Sequence, residues 1–255
     1  MTTAENPGEV GLEQPLSSEE EIEQILENVP SEIEISIDLP SKNKFYILKD
    51  PAAPISVRPM TFEDEKVLAS NTNREDGVNL LLERCVTNID ISQLLLMDKL
   101  SLILKIREIS FGDKYTIEHI CGQCNAKNEL TFSINEFTTK YVEDDLTDPQ
   151  EVELPTLKKT VKVRLPRIAD ESLLSNPNTL FENLWHFVLD IGGNTKKSVI
   201  SKVIQRLPVK DFHVLTDLIF GLKYGIDLRG QFKCDSCQNV SIAEIPFTEN
   251  FFSVS

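Results

Sequence analysis

Tyr115-Thr-Ile-Glu-His-Ile-Cys121-Gly-Gln-Cys124-Asn-Ala-Lys-Asn-Glu-Leu-Thr-Phe132 has a close counterpart in Leu228-Arg-Gly-Gln-Phe-Lys-Cys234-Asp-Ser-Cys237-Gln-Asn-Val-Ser-Ile-Ala-Glu-Ile245. Each stretch reads strand, CxxC, polar turn, strand. That is the shape of a zinc-ribbon knuckle, in which the turn aims two thiolates at one point and two knuckles complete a tetrahedral four-sulfur site. A single CxxC is a weak signal, and two in matching context are a stronger one. Yet more than a third of the chain separates Cys124 from Cys234, far too much for one ordinary ribbon.

Duplication resolves the difficulty. The shift that lays Cys121 and Cys124 on Cys234 and Cys237 also lays Asp98 on Asp211, Leu102 on Leu215, Ile106 on Ile219 and Gly112 on Gly225. Further upstream a slightly shorter shift sets Val57-Arg58 with Asp64-Glu65 on Val163-Arg164 with Asp170-Glu171. Self-similarity in a shared order is the mark of repeated structural units. The expected fold class is therefore α+β, with two tandem related repeats. Each repeat has short N-terminal strands, a helical middle and a C-terminal β-hairpin bearing CxxC. The expected divisions are an acidic, largely flexible arm at 1–30, a first repeat at 31–140, an acidic linker at 141–153 and a second repeat at 154–255.

Local signals fill in the repeats. Short strands are expected at Lys44 to Leu48, Ile55 to Arg58 and Thr160 to Arg164. Thr61, followed by Glu63, Asp64 and Glu65, has the form of a helix N-cap with acids in the first turn. Val78, Leu81, Leu82 and Cys85 are spaced for one apolar helix face, and Asp90 or Ser92 opens a helix from Leu94 towards Ile109. The second repeat offers helices at Leu180 to Leu189, Val199 to Leu207 and Asp211 to Leu222. Gly112 and Gly225 sit where the last helix of each repeat would stop.

If the two repeats pack about a pseudo-twofold axis, Cys121, Cys124, Cys234 and Cys237 can share one structural Zn²⁺. The bland alternative is four reduced thiols in two hairpin turns. Thioredoxin-type redox chemistry fits poorly, since it needs a thiolate at a helix N-terminus and both pairs lie between strands. His119 is awkwardly spaced as a ligand and reads as a hairpin residue. Cys85 reads as a core thiol on its apolar stripe. His119, His186 and His213 are the only histidines, and no catalytic constellation can be assembled from them. Gly192-Gly193-Asn194 lacks phosphate-loop spacing and reads as a loop between helices.

Charge sets the class of partner. The 255 residues carry 26 Lys+Arg against 41 Asp+Glu, a net −15, which repels nucleic-acid backbones. Residues 1–30 hold eight glutamates and no base. Ser17 or Ser18 can cap a short helix there bearing Ile22, Ile25 and Leu26, either in a solvated tail or as a partner-docking element. The clusters Lys42, Lys44, Lys49 and Lys158, Lys159, Lys162, Arg164, Arg167 could meet an acidic partner protein. No apolar stretch reaches the length of a membrane span, and the odd cysteine count with an acidic N-terminus points to reducing cytoplasm.

Leu39-Pro-Ser-Lys-Asn-Lys-Phe-Tyr46, Ile55-Ser-Val-Arg-Pro-Met-Thr-Phe-Glu-Asp-Glu65, Ile109-Ser-Phe-Gly-Asp-Lys-Tyr115 and the CxxC hairpin follow one another in this order. With Val152-Glu-Leu-Pro155, Val163-Arg164 and Asp170-Glu171 they resemble the T4-type bacteriophage baseplate hub family. The resemblance spans most of 31–252 and leaves out the acidic arm. It implies a non-enzymatic part in building the hub of a contractile-tail baseplate, with other phage hub or tail proteins as partners and no catalytic residues. It leaves open whether the chain stays in the virion baseplate or acts only in the host cytoplasm during assembly. A zinc-ribbon adaptor in phage transcription or replication is the alternative, and it would call for a basic, aromatic surface that this sequence lacks.

Overall fold

The computed structural model describes residues 18–26, 34–71, 74–174, 181–221, 224–244 and 249–252. Mixed α+β architecture is observed: helices alternate with small antiparallel sheets. Helix α1 (Ser18–Leu26) stands first, with Ile22, Ile25 and Leu26 all exposed. Its expected N-cap alternative Ser17 lies outside the described residues. Strands β1 (Ile35–Ser36) and β2 (Ser56–Val57) then form a three-stranded sheet with β3 (Val86–Thr87), in the order β1-β2-β3.

Between β2 and β3 run α2 (Phe62–Ser70) and α3 (Arg74–Cys85). Thr61 precedes α2 as expected, and Asp64 accepts from both its N–H (2.8 Å) and its hydroxyl (3.0 Å). Leu81, Leu82 and Cys85 are fully buried, so the apolar stripe of α3 faces the core. Burial pushes the Cys85 thiol up to about 12, which makes it an inert packing group. Asp90 caps a 3₁₀ turn, Ile91–Gln93, and the long helix α4 (Leu96–Phe111) begins only after Leu95. Gly112 ends α4 with φ +89°, a backbone angle that suits glycine.

Two expected elements are replaced. Lys44 to Leu48 is not a strand: the chain turns over residues 40–45, with Lys42 and Asn43 at φ +54° and +58°. The cause is distant in sequence. The buried carboxylate of Asp98 on α4 accepts the Ser41 N–H at 3.0 Å and the Tyr46 hydroxyl, which folds this segment onto the helix. Nor is Leu180 to Leu189 one helix. Its described part is a 3₁₀ segment, Phe181–His186, followed by a strand from Val188, because Val188 and Ile191 pair with a neighbouring strand and are buried.

Beyond α4, β4 (Lys114–Ile120) and β5 (Lys127–Ser133) form the first hairpin, and β6 (Thr138–Lys140) follows. The acidic segment 141–153 is built into the fold at both ends. Val142 is buried, and Gln150–Glu153 is strand β7, paired with β8 (Thr160–Val163) and through it with β9 (Val188–Ile191). A short helix α5 (Glu171–Leu174) precedes the 3₁₀ segment, and α6 (Lys197–Ile204) and α7 (Val209–Phe220) pack over the sheet. Gly192-Gly193 turns the chain after a strand, with both glycines at positive φ. Gly221, not Gly225, ends α7, and Gly225 opens β10 (Gly225–Asp227). Finally β11 (Arg229–Lys233) and β12 (Val240–Glu244) form the second hairpin.

The same hydrogen bonds recur at the positions matched in sequence. Arg58 grips Asp64 at 2.7 Å, and its counterpart Arg164 grips Asp170 at 2.6 Å. Asp211, the counterpart of Asp98, accepts the N–H groups of Thr156 (2.7 Å) and Leu157 (2.8 Å) after the second Leu-Pro. The segments before and after residue 150 also interlock: β10 pairs with β6, Leu96 donates to Pro166, and Phe251 lies in the core built by α3 and α4. Ile22, Ile25 and Leu26 of α1 are exposed and belong to none of the hydrophobic clusters of the described residues, so a chain starting at Ser31 should melt, as dilute protein, within about 1 °C of the full chain. A fall of several degrees would mean that α1 is part of the fold.

Candidate metal centre

The hairpins place the cysteines by register. In the first, Ile120 pairs with Lys127, and in the second Lys233 pairs with Val240, so both turns leave the ladder at equivalent points. Cys121 donates its N–H to Ala126 O and accepts from Asn125 N–H, each at 2.9 Å. Cys234 repeats this with Asn239 and Gln238, again at 2.9 Å. Asn125 and Gln238 take φ of +57° and +61°, which curls each turn back over its first cysteine. In each CxxC the first thiol is thereby buried and the second is exposed.

The two hairpins face each other. The rings of His119 and Phe232, one from each hairpin, meet edge-on with centroids 4.2 Å apart. His119 is thus a packing residue of the hairpin interface and lies outside the sulfur cluster. Gly230 sits against Phe132 so closely that a Cβ there would lie 2.9 Å from Cε1, so any side chain at this position would require the ring or the backbone to shift. Phe232 and Ala243 are buried in one cluster with the first cysteines, Cys121 and Cys234.

All four sulfurs gather in this interface. Their Sγ atoms lie within 4.8 Å of one another, with Cys121 to Cys237 and Cys124 to Cys234 each at 3.7 Å. A disulfide would require about 2.05 Å. A regular tetrahedron with Zn–S of about 2.3 Å has sulfur–sulfur edges of about 3.8 Å, so the observed spacing fits a four-thiolate metal site. The cluster is a group of thiols from two sequence-distant knuckles, brought to one point by the facing hairpins.

Electrostatics favours a cation there. The N–H of Cys237 and that of Ser236 point at Cys234 and hold its pKa down to about 6. At Cys124 the Ala126 N–H pulls the same way, but hydrogen bonding with the Cys237, Cys234 and Cys121 thiols outweighs it and pushes the pKa up to about 12. One negative charge in the cluster therefore opposes the next. A divalent metal, if bound, would remove that opposition and let all four ionise.

Asn128 escaped sequence reading. It is buried at the centre of the interface, donates to Ala126 O of the first knuckle at 3.0 Å and accepts the Asp235 N–H of the second at 2.9 Å. Its side chain spans the two turns, and an amide can do so because it carries a donor and an acceptor. The only sequence signal was an asparagine inside a strand, where that residue is disfavoured.

The family model described as T4 bacteriophage base plate protein matches residues 30–253. The chain belongs to this baseplate family. No curated protein and no solved structure matches it. Both knuckles lie inside the matched span, and α1 lies outside it.

The basic clusters of this baseplate chain are largely answered from within. Lys42 binds the Asp144 carboxylate, and Lys44 binds its carbonyl oxygen, both at 2.6 Å. Lys162 pairs with Glu151 at 3.0 Å, Arg164 with Asp170, and Arg167 with Asp148 at 2.6 Å. For Lys42, Lys44, Lys162 and Arg167 the acidic partner is the chain's own acidic segment, and for Arg164 it is Asp170. Among the described residues no helix is long and apolar enough to cross a membrane.

Proposed function

We propose that this chain is a non-enzymatic structural or assembly protein of the baseplate hub in a contractile phage tail, acting through protein–protein interfaces. It would work in the host cytoplasm during assembly and in the virion baseplate. The match to the baseplate family over residues 30–253 carries this reading. A structural role for the cysteines agrees with it. Four thiolates fill a tetrahedral Zn²⁺, which leaves no coordination position for water or substrate. Cys121, Cys124, Cys234 and Cys237 would hold that ion and tie the two hairpins together.

We further infer that the chain is a tandem duplication of 31–140 and 154–255. What supports it is the recurrence of the Arg58–Asp64 pair as Arg164–Asp170, of Asp98 as Asp211, and of one hairpin register in two CxxC hairpins. A metal shared across the pseudo-twofold axis makes one rigid body of the two repeats.

Interrupting the gene in its phage tests the function. Lysates viewed by electron microscopy should contain heads, with tails lacking complete baseplates, and the chain supplied in trans should restore them. Intact, contractile tails in the interrupted phage would overturn the proposal. Tight, salt-sensitive DNA binding by the purified chain would favour the adaptor reading instead.

A further inference from the structure

Among the described residues two exposed surfaces complement each other. The first is α1, nine residues long, in which Ile22, Ile25 and Leu26 are 54, 78 and 44 % exposed. These positions fall on one helix face, and the segment carries four glutamates and no base. A helix this short is marginal in water on its own, so it needs a surface to pack against.

The second is a groove of about 280 Å³ where the 3₁₀ segment 181–186 meets α6 and α7, lined by Phe181, Trp185, Ile204, Leu207, Val209 and Phe212. Phe181 and Val209 are 55 and 70 % exposed. Lys202, Arg206 and Lys210, each adjoining a lining residue, are exposed and form none of the ion pairs found among the described residues, while Glu182 is the one exposed acid of the lining. An apolar groove whose lining residues adjoin three exposed cations in sequence fits an acidic helix with an apolar stripe.

We propose that this groove takes α1 of a second copy of the chain. Charge complementarity selects α1, and both surfaces are open among the described residues, which assigns the contact to two chains. Exchange of α1 in both directions gives a closed, two-fold dimer with two equivalent contacts. In this contact α1 lies outside the family match and the groove lies inside it. The inference does not depend on the metal or on the hub reading.

Sedimentation of the full chain over a concentration series tests it, beside Ile25→Asp, Val209→Asp and the rim variant Arg206→Glu. The full chain should dimerise reversibly. Ile25→Asp and Val209→Asp should each raise the dissociation constant at least about tenfold, because each places an unpaired carboxylate in an apolar contact. Arg206→Glu should weaken it in a salt-dependent way. A mixture of Ile25→Asp and Val209→Asp retains one intact helix and one intact groove per pair, so it should associate more tightly than either variant alone. Unchanged melting of the dilute variants separates a lost contact from a lost fold. A full chain that stays monomeric overturns the proposal, as would happen if α1 docked within its own chain or on a foreign protein. A dimer that both apolar variants leave intact, or a mixture that gains nothing, overturns it equally.

Discussion

Replacing Cys121 and Cys234 together with Ser should abolish zinc binding and lower the melting temperature by about 8–16 °C. Those two thiols are the buried member of each knuckle, and each lies 3.7 Å from the exposed member of the other. The size follows from linkage. A metal present about a thousandfold above its dissociation constant adds about 4 kcal/mol to the native state, and about 1 kcal/mol moves the midpoint of a chain this long by about 2–4 °C. A chelator supplies the control: it should bring wild type down towards the variant and leave the variant unmoved. If the variant melts low but wild type ignores the chelator, the loss comes from packing around Cys121 and Cys234 and not from metal.

Removing the carboxylate of Asp64 by replacement with Ala should cost about 3 kcal/mol at neutral pH. Asp64 is fully buried and gathers Arg58, Arg84 and both donors of Thr61, so its loss strands two guanidiniums and uncaps α2. Breaking a buried pair from one side typically costs about 3–5 kcal/mol. The low end applies because the Arg84 and Arg58 side chains are 43 and 21 % exposed and water screens them. Burial alone would raise the Asp64 pKa, but Arg58, the Thr61 N–H and Arg84 outweigh it and hold the carboxyl below the usual range. A depressed folded-state pKa means that this stabilisation is present above the unfolded value of about 4 and fades as pH falls through the folded value. The difference between wild type and Asp64→Ala in urea midpoints should therefore be full at pH 7 and shrink at pH 3. An equal difference at both would assign the loss to packing. Comparing the two chains at each pH also cancels any release of metal by acid.

What could be read from the residues depended on how local the determinants were. The hairpins were legible because alternation, a polar turn and CxxC all lie within one short stretch of chain. Likewise α3 and the Thr61 start of α2 carry their own stripe and cap. The turn at 40–45 was not legible, because Asp98 imposes it from far along the chain. Val188 and Leu189 read as the end of a helix from Leu180, and they become part of strand Val188–Ile191 through its ladder with Thr160–Val163. The four cysteines were singled out from the repeated knuckle, and the structure brings their sulfurs together. Asn128 was missed, since its role exists only once a second hairpin places the Asp235 N–H against it. The basic clusters suggested an outside partner because sequence cannot show that Asp144, Asp148 and Glu151 lie within reach of them.

Metal content tests the central claim most directly. The chain should be purified under reducing conditions without chelator, analysed for elements and examined at the zinc absorption edge. One zinc per chain is expected, surrounded by four sulfurs at about 2.3 Å. A folded chain with no metal, whose Cys121, Cys124, Cys234 and Cys237 all react freely with a thiol reagent, would contradict it.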